Sequence, residues 1–117
     1  MSVLAWQDNA LGQRLEADLG EVRRLFAEEL KSDLDCVNAL AEHAQRYHGK
    51  MLRPMLVLVT AMAVQPGGKA TEHKHLVAAA VVEMVHMATL VHDDVLDDAA
   101  MRRRGATINQ LHGNEAA

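Results

Sequence analysis

An all-α fold is what this sequence predicts, on three observations. The composition is rich in Ala, Leu, Met, Val and Glu and holds only three aromatic residues, Trp6, Phe26 and Tyr47. That mix favours helix over strand. Apolar residues recur at the three-to-four spacing of amphipathic helices. Breakers at Gly49, at Gln65-Pro66-Gly67-Gly68 and at Gly105 then divide the chain into helix-length segments.

The first helix is expected over Leu11, Leu15, Leu19, Val22, Leu25, Phe26 and Leu30, with Arg14, Asp18, Glu21, Arg24 and Glu28 on its other side. Ser32 or Asp33 is suited to cap a second helix carrying Leu34, Val37, Leu40, Ala41 and Ala44, which Gly49 ends. A third helix starts near Lys50 to Pro54, because proline is tolerated in a first turn. Met55 to Val64 is almost wholly apolar, which predicts burial on most sides. Thr71 is placed to cap a fourth helix from about Glu72 to Asp98. Another helix is expected to open near Thr107 to Asn109. The last residues, Gly113 to Ala117, end on helix formers with no capping signal, so the chain reads as cut inside an element.

With 117 residues and 50% apolar content, the chain has material for the core of one domain. Net charge is −4, and Arg102 to Arg104 form the only tight basic group, which excludes a nucleic-acid footprint. Cys36 is the lone cysteine, so no intrachain disulfide forms and a reducing compartment is expected. The N-terminus lacks the layout of a secretory signal, and no run of about twenty uninterrupted apolar residues exists. A soluble, cytoplasmic protein without a transmembrane segment is expected.

The chemistry concentrates between His86 and Arg104. Asp93, Asp94, Asp97 and Asp98 fall within six positions, and Arg102, Arg103 and Arg104 follow. On a helix, Asp93 and Asp97 share a face. Like charges at that spacing oppose helix formation by about 0.2–0.5 kcal/mol per pair. A cation held between them removes the penalty. Mg²⁺ suits the position, since it binds through one or two carboxylates and takes its other ligands from water and substrate phosphates. The arginines supply fixed-charge donors for phosphate oxygens, so the segment reads as a metal-plus-arginine clamp for a diphosphate. Gly49-Lys50-x-x-Arg53-Pro54 places two more cations at a helix N-terminus, where backbone N–H groups also favour anions.

Three motifs in this order, G-K-M-L-R-P at 49–54, H-M-A-T-L-V-H-D-D-V-L-D at 86–97 and M-R-R-R-G-A-T-I-N at 101–109, resemble the trans-type (head-to-tail) polyprenyl diphosphate synthases, an all-α family. The resemblance implies the N-terminal helices of an isoprenoid-synthase-type bundle, truncated, with residues 1–117 being the N-terminal portion of a single synthase domain. It implies Mg²⁺ ligation by Asp93 and Asp97, with Asp94 the motif's second aspartate. Arg102 corresponds to the holder of the allylic diphosphate. Arg103, Lys50, Arg53 and His86 correspond to the holders of isopentenyl diphosphate. Arg104 stands where many members have glycine and receives no role. Ala88 and Thr89 correspond to the floor of the chain-elongation cavity, walled also by Val81 and Val85. Neither is aromatic, which implies a product longer than C15. The implied reaction condenses isopentenyl diphosphate with an allylic diphosphate, in a homodimer.

Family members are far longer and carry a second aspartate-rich motif, so these residues alone are expected to be inactive and self-associating. The alternatives are a short non-catalytic partner subunit of a heteromeric synthase and a plain helical Mg²⁺- or phosphate-binding module. Four crowded aspartates argue against the former.

Overall fold

The computed structural model of the chain describes residues 9–45, 49–65, 71–96, 101–102, 105–106, 111 and 113–114, with the side chains of 44, 95, 101, 102, 105 and 106 outside that description. The described residues form four helices and one short β-ladder, in the order α1 (Ala10–Glu29), α2 (Asp35–Gln45), α3 (Leu52–Val64), α4 (His73–Leu96), β1 (Met101–Arg102) and β2 (Gly105–Ala106). The class is all-α, as its sequence predicts.

α1 starts at Asn9, whose side-chain Oδ1 accepts the Gly12 N–H at 2.8 Å while its carbonyl accepts that of Gln13 at 3.0 Å. An asparagine with a free oxygen is among the preferred residues for this position. Leu15, Leu19, Val22 and Phe26 form the buried row, whereas Leu11 is exposed. Ion pairs Arg24–Glu21 at 2.6 Å and Lys31–Glu28 at 2.8 Å line the exposed side.

α2 begins one or two residues later than the expected caps. The first helical bond runs from Asn38 N–H to the Leu34 carbonyl at 3.1 Å. Ser32 contributes from outside the helix: its hydroxyl accepts the Leu34 N–H at 3.2 Å. The Asn38 amide closes the loop, accepting from Ser32 N–H at 2.9 Å and donating to Ser32 carbonyl at 2.8 Å. Asp35 in the first turn complements the helix dipole.

α3 is less covered than its apolar sequence predicts. Pro54, Leu58 and Ala61 are buried, but Leu52, Leu56, Val59 and Val64 are exposed. Pro54 lies in the first turn, where no N–H is missed. Ahead of it, Met51 has φ 57° and ψ 35°, the left-handed region, and no side-chain hydrogen bond caps the helix. Its carbonyl accepts the Met55 N–H at 3.0 Å. For an L-residue this backbone costs about 1–2 kcal/mol.

α4 runs 24 residues, about 36 Å at 1.5 Å per residue. Thr71 does not cap it. The Thr71 hydroxyl instead donates to Asp18 Oδ2 of α1 at 2.6 Å. The cap is Glu72, whose carbonyl accepts the His75 and Leu76 N–H groups. The Glu72 N–H donates to His75 Nδ1 at 2.9 Å, so His75 is a partner of the helix start rather than a solvated side chain. Ala79, Ala80, Glu83, Met87, Val91 and Asp94 are buried. From His73 to Asp94 the helix is long and apolar enough, by length and composition alone, to cross a membrane, and the core helix of a soluble protein meets the same description.

The β-ladder, which the sequence reading does not anticipate, pairs Met101 with Ala106 and Arg102 with Gly105, antiparallel. The expected helix near Thr107 to Asn109 lies outside the described residues.

Contacts group the chain into two units, Met1–Phe26 with Met51–Glu83 and Ala27–Lys50 with Met84–Ala117. The core of the first is Leu15, Leu19 and Val22 from α1, Met51, Leu58 of α3, and Ala79 and Ala80 of α4. Leu25, Met55, Val57, Met62 and Leu76 pack around it. Each fully buried Leu, Val or Met there contributes roughly 1.5–3 kcal/mol. The second unit contains α2, the last three turns of α4 and the ladder, and a cleft of about 820 Å³ lies in it between the end of α1 and α2.

Candidate diphosphate and metal site

The end of α4 carries the aspartates. Helical geometry persists through Leu96, so Asp93 and Asp94 are both in α4, while Asp97 and Asp98 lie outside the described residues. The two described carboxylates differ. Asp93 is exposed, whereas Asp94 is 1% exposed and the most buried acidic group among the described residues. Positions four apart are neighbours on a helix surface, each step turning by about 40°, so Val85, Thr89 and Asp93 share one side of α4 while Val81 and Val77 wind progressively away from it. All three valines and Thr89 are exposed, Val85 by 60%. The Thr89 hydroxyl donates to the His86 carbonyl at 2.7 Å, so its polar group is satisfied by the helix itself. Exposed Val85 and Thr89 therefore lead, over about 12 Å at 1.5 Å per residue, to a solvent-facing carboxylate. Ala88 is exposed beside it.

His86 is half-buried two turns before Asp93, on the same side of the helix. Lys50 and Arg53 are both exposed, one before and one after the left-handed Met51. Arg102 is in β1 with its side chain outside the description, and Arg103 and Arg104 lie outside it altogether. Residues His86, Asp93 and Asp94 are thus brought together on α4, and Arg53 belongs to the other unit. Sequence reasoning did not single out Met51. Nothing in a methionine signals a positive φ.

No group of three or more His, Cys, Asp or Glu able to hold a metal occurs among the described residues. The donor chemistry still suits magnesium. Asp93 offers an exposed, hard carboxylate oxygen, and Mg²⁺ needs only one or two such ligands when phosphates and water complete its octahedron.

Comparison with known proteins identifies the family. The polyprenyl synthetase family model matches residues 35–117. Octaprenyl diphosphate synthase of Escherichia coli K12 is 40% identical over 100 residues, covering 86% of this chain and 30% of that protein. The decaprenyl diphosphate synthase structure from Rhodobacter capsulatus superposes with a TM-score of 0.75 at 38% identity, over 91% of this chain and 32% of that one. A polyprenyl synthase from Caulobacter crescentus, solved with calcium and isoprenyl diphosphate, gives 0.74 at 34% identity, over 88% and 31%. The chain belongs to the polyprenyl synthetase family, and it spans under a third of the length of these relatives.

Proposed function

We propose that this chain contributes the diphosphate-ionising half of a prenyltransferase that condenses isopentenyl diphosphate with an allylic diphosphate. One observation supports the reading: exposed Val85 and Thr89 lead along one side of α4 to exposed Asp93, within the family match. That pattern suits an amphiphile with an anionic head and a hydrocarbon tail.

In this reading Asp93 and Asp97 are the metal ligands and Asp94 supports them from its buried position. Magnesium, when bound there, supplies positive charge to the leaving diphosphate. Arg102 holds the allylic diphosphate. Lys50, Arg53, His86 and Arg103 hold isopentenyl diphosphate. The allylic C–O bond breaks with its electron pair leaving on the diphosphate, the isopentenyl double bond supplies the electrons of the new C–C bond, and a proton is released. Val81, Val85, Ala88 and Thr89 keep water from the cation. None of the last four is aromatic, so the growing chain passes them, and the product exceeds C15. A homodimer in the cytoplasm is the assembly this reading carries.

The test is an assay of the complete gene product with labelled isopentenyl diphosphate, an allylic primer and Mg²⁺. Labelled prenyl diphosphate longer than C15 is expected. Replacing Asp93→Asn and Asp97→Asn together should abolish it, and turnover surviving in that double variant refutes the proposal.

A further inference from the structure

We propose that Met51 is a positioning residue for Lys50, an inference that rests on the reading of Lys50 as an isopentenyl diphosphate ligand. Three observations carry it. Met51 has a left-handed backbone, with φ 57°, among the described non-glycine residues the one with positive φ. Its side chain is 2% exposed and belongs to the core of Leu15, Leu19, Val22, Leu58, Ala79 and Ala80. Its carbonyl accepts the first helical N–H of α3, from Met55, while no side chain caps that helix.

Glycine would adopt this conformation without steric penalty but would be equally free to leave it. A methionine persists there only because its surroundings over-determine it, a pattern that clusters at functional sites. The peptide entering α3 therefore passes from exposed Gly49 and Lys50 directly to a side chain seated in the core. Exposed Lys50 is carried by a neighbour anchored in the core, which lowers the ordering that anion binding would otherwise require. Arg53 follows two residues later in the first turn of α3, fixed by the same helix start.

Side chains of similar volume but different tolerance of positive φ separate this from simple packing. Leu fills the space and tolerates the conformation about as Met does. Ile is β-branched, for which positive φ is a genuine outlier. Gly keeps the conformation accessible but loses the anchor. Steady-state kinetics of the complete gene product should show Met51→Leu close to the parent. Met51→Ile and Met51→Gly should each raise KM for isopentenyl diphosphate roughly tenfold while kcat and KM for the allylic primer move less than about twofold. Leu58→Ala, a lesion in the same core, should lower Tm without that selective KM change. The proposal is overturned if KM for isopentenyl diphosphate stays level in both variants, or rises as much in Leu58→Ala, or if neither Met51→Ile nor Met51→Gly folds while Met51→Leu does. Turnover absent from the unsubstituted protein would instead remove the functional reading beneath it.

Discussion

Asp93 and Asp94 are neighbours in sequence, and their surroundings part them. The Asp93 carboxylate faces solvent, while Asp94 is withdrawn almost entirely. Substitution should therefore separate function from stability. Asp93→Asn changes an exposed group and should leave the denaturant midpoint within the equivalent of about 0.5 kcal/mol while turnover is lost. Asp94→Ala removes a buried polar group from its setting and should cost about 1–3 kcal/mol, read as a lower midpoint in urea with unchanged slope. Equal stability losses in the two variants would contradict the division. The helical setting of Asp93 and Asp94 was legible in the sequence, because apolar spacing carries α4 through Leu96, while Asp97 lies outside the described residues. Which of two adjacent aspartates is covered was not legible, since burial is decided by residues distant in the chain. The same holds for Met51, whose φ is imposed by its core neighbours and not by its own preference.

Helix limits were legible to within a few residues because apolar spacing and breakers act locally, as the run of α1 from Ala10 and the end of α3 at Val64 illustrate. Caps were less so. Thr71 has the right chemistry and position to cap α4, yet Asp18 of α1 takes its hydroxyl, and Glu72 with His75 closes the helix instead. Only the tertiary partner decides between those outcomes. Thr71→Ala should thus remove an inter-helix bond and lower stability by about 0.5–1.5 kcal/mol, measurable by thermal or urea unfolding. Helical content of α4 should be little changed. The ladder at 101–106 was missed because two residues per strand offer no alternation to read. Two exposed carboxylates give α1 and the start of α4 a defined response to acid. Glu21 is held below its ordinary 4.5 chiefly by the Arg24 hydrogen bond, and Glu72 below the same value chiefly by that of Lys74. A depressed folded-state value means each contribution is complete above the unfolded value and lost as pH falls through the lower folded one. NMR titration should find both carboxyls ionised below 4.5, and Arg24→Ala should return Glu21 upward. On α4, Ala88→Phe should shorten the prenyl product by placing an aromatic ring beside the Val81–Val85–Thr89 row, with chromatography of labelled products as the check.

At the scale of the whole molecule, the buried and exposed sides of α3 set the behaviour of the polypeptide. Leu58 is completely buried and Ala61 nearly so, while Leu52 and Leu56 are 60% and 59% exposed, with Val59 at 41%. Those three, with Ala63, recur at positions 52, 56, 59 and 63, a continuous stripe along one side of the helix. Soluble monomers rarely leave large contiguous apolar patches uncovered, and such patches drive association. The polypeptide of residues 1–117 should accordingly self-associate in a concentration-dependent way during sedimentation. Leu52→Lys with Leu56→Lys should reverse this, because both side chains already lie in solvent and their exchange disturbs none of the Leu15, Leu19, Val22 and Leu58 core. The double variant should therefore sediment as a smaller species at an unchanged Tm. Association that persists in it would assign the adhesive surface elsewhere, to the valine row of α4, where Val81→Lys with Val85→Lys is then the decisive pair.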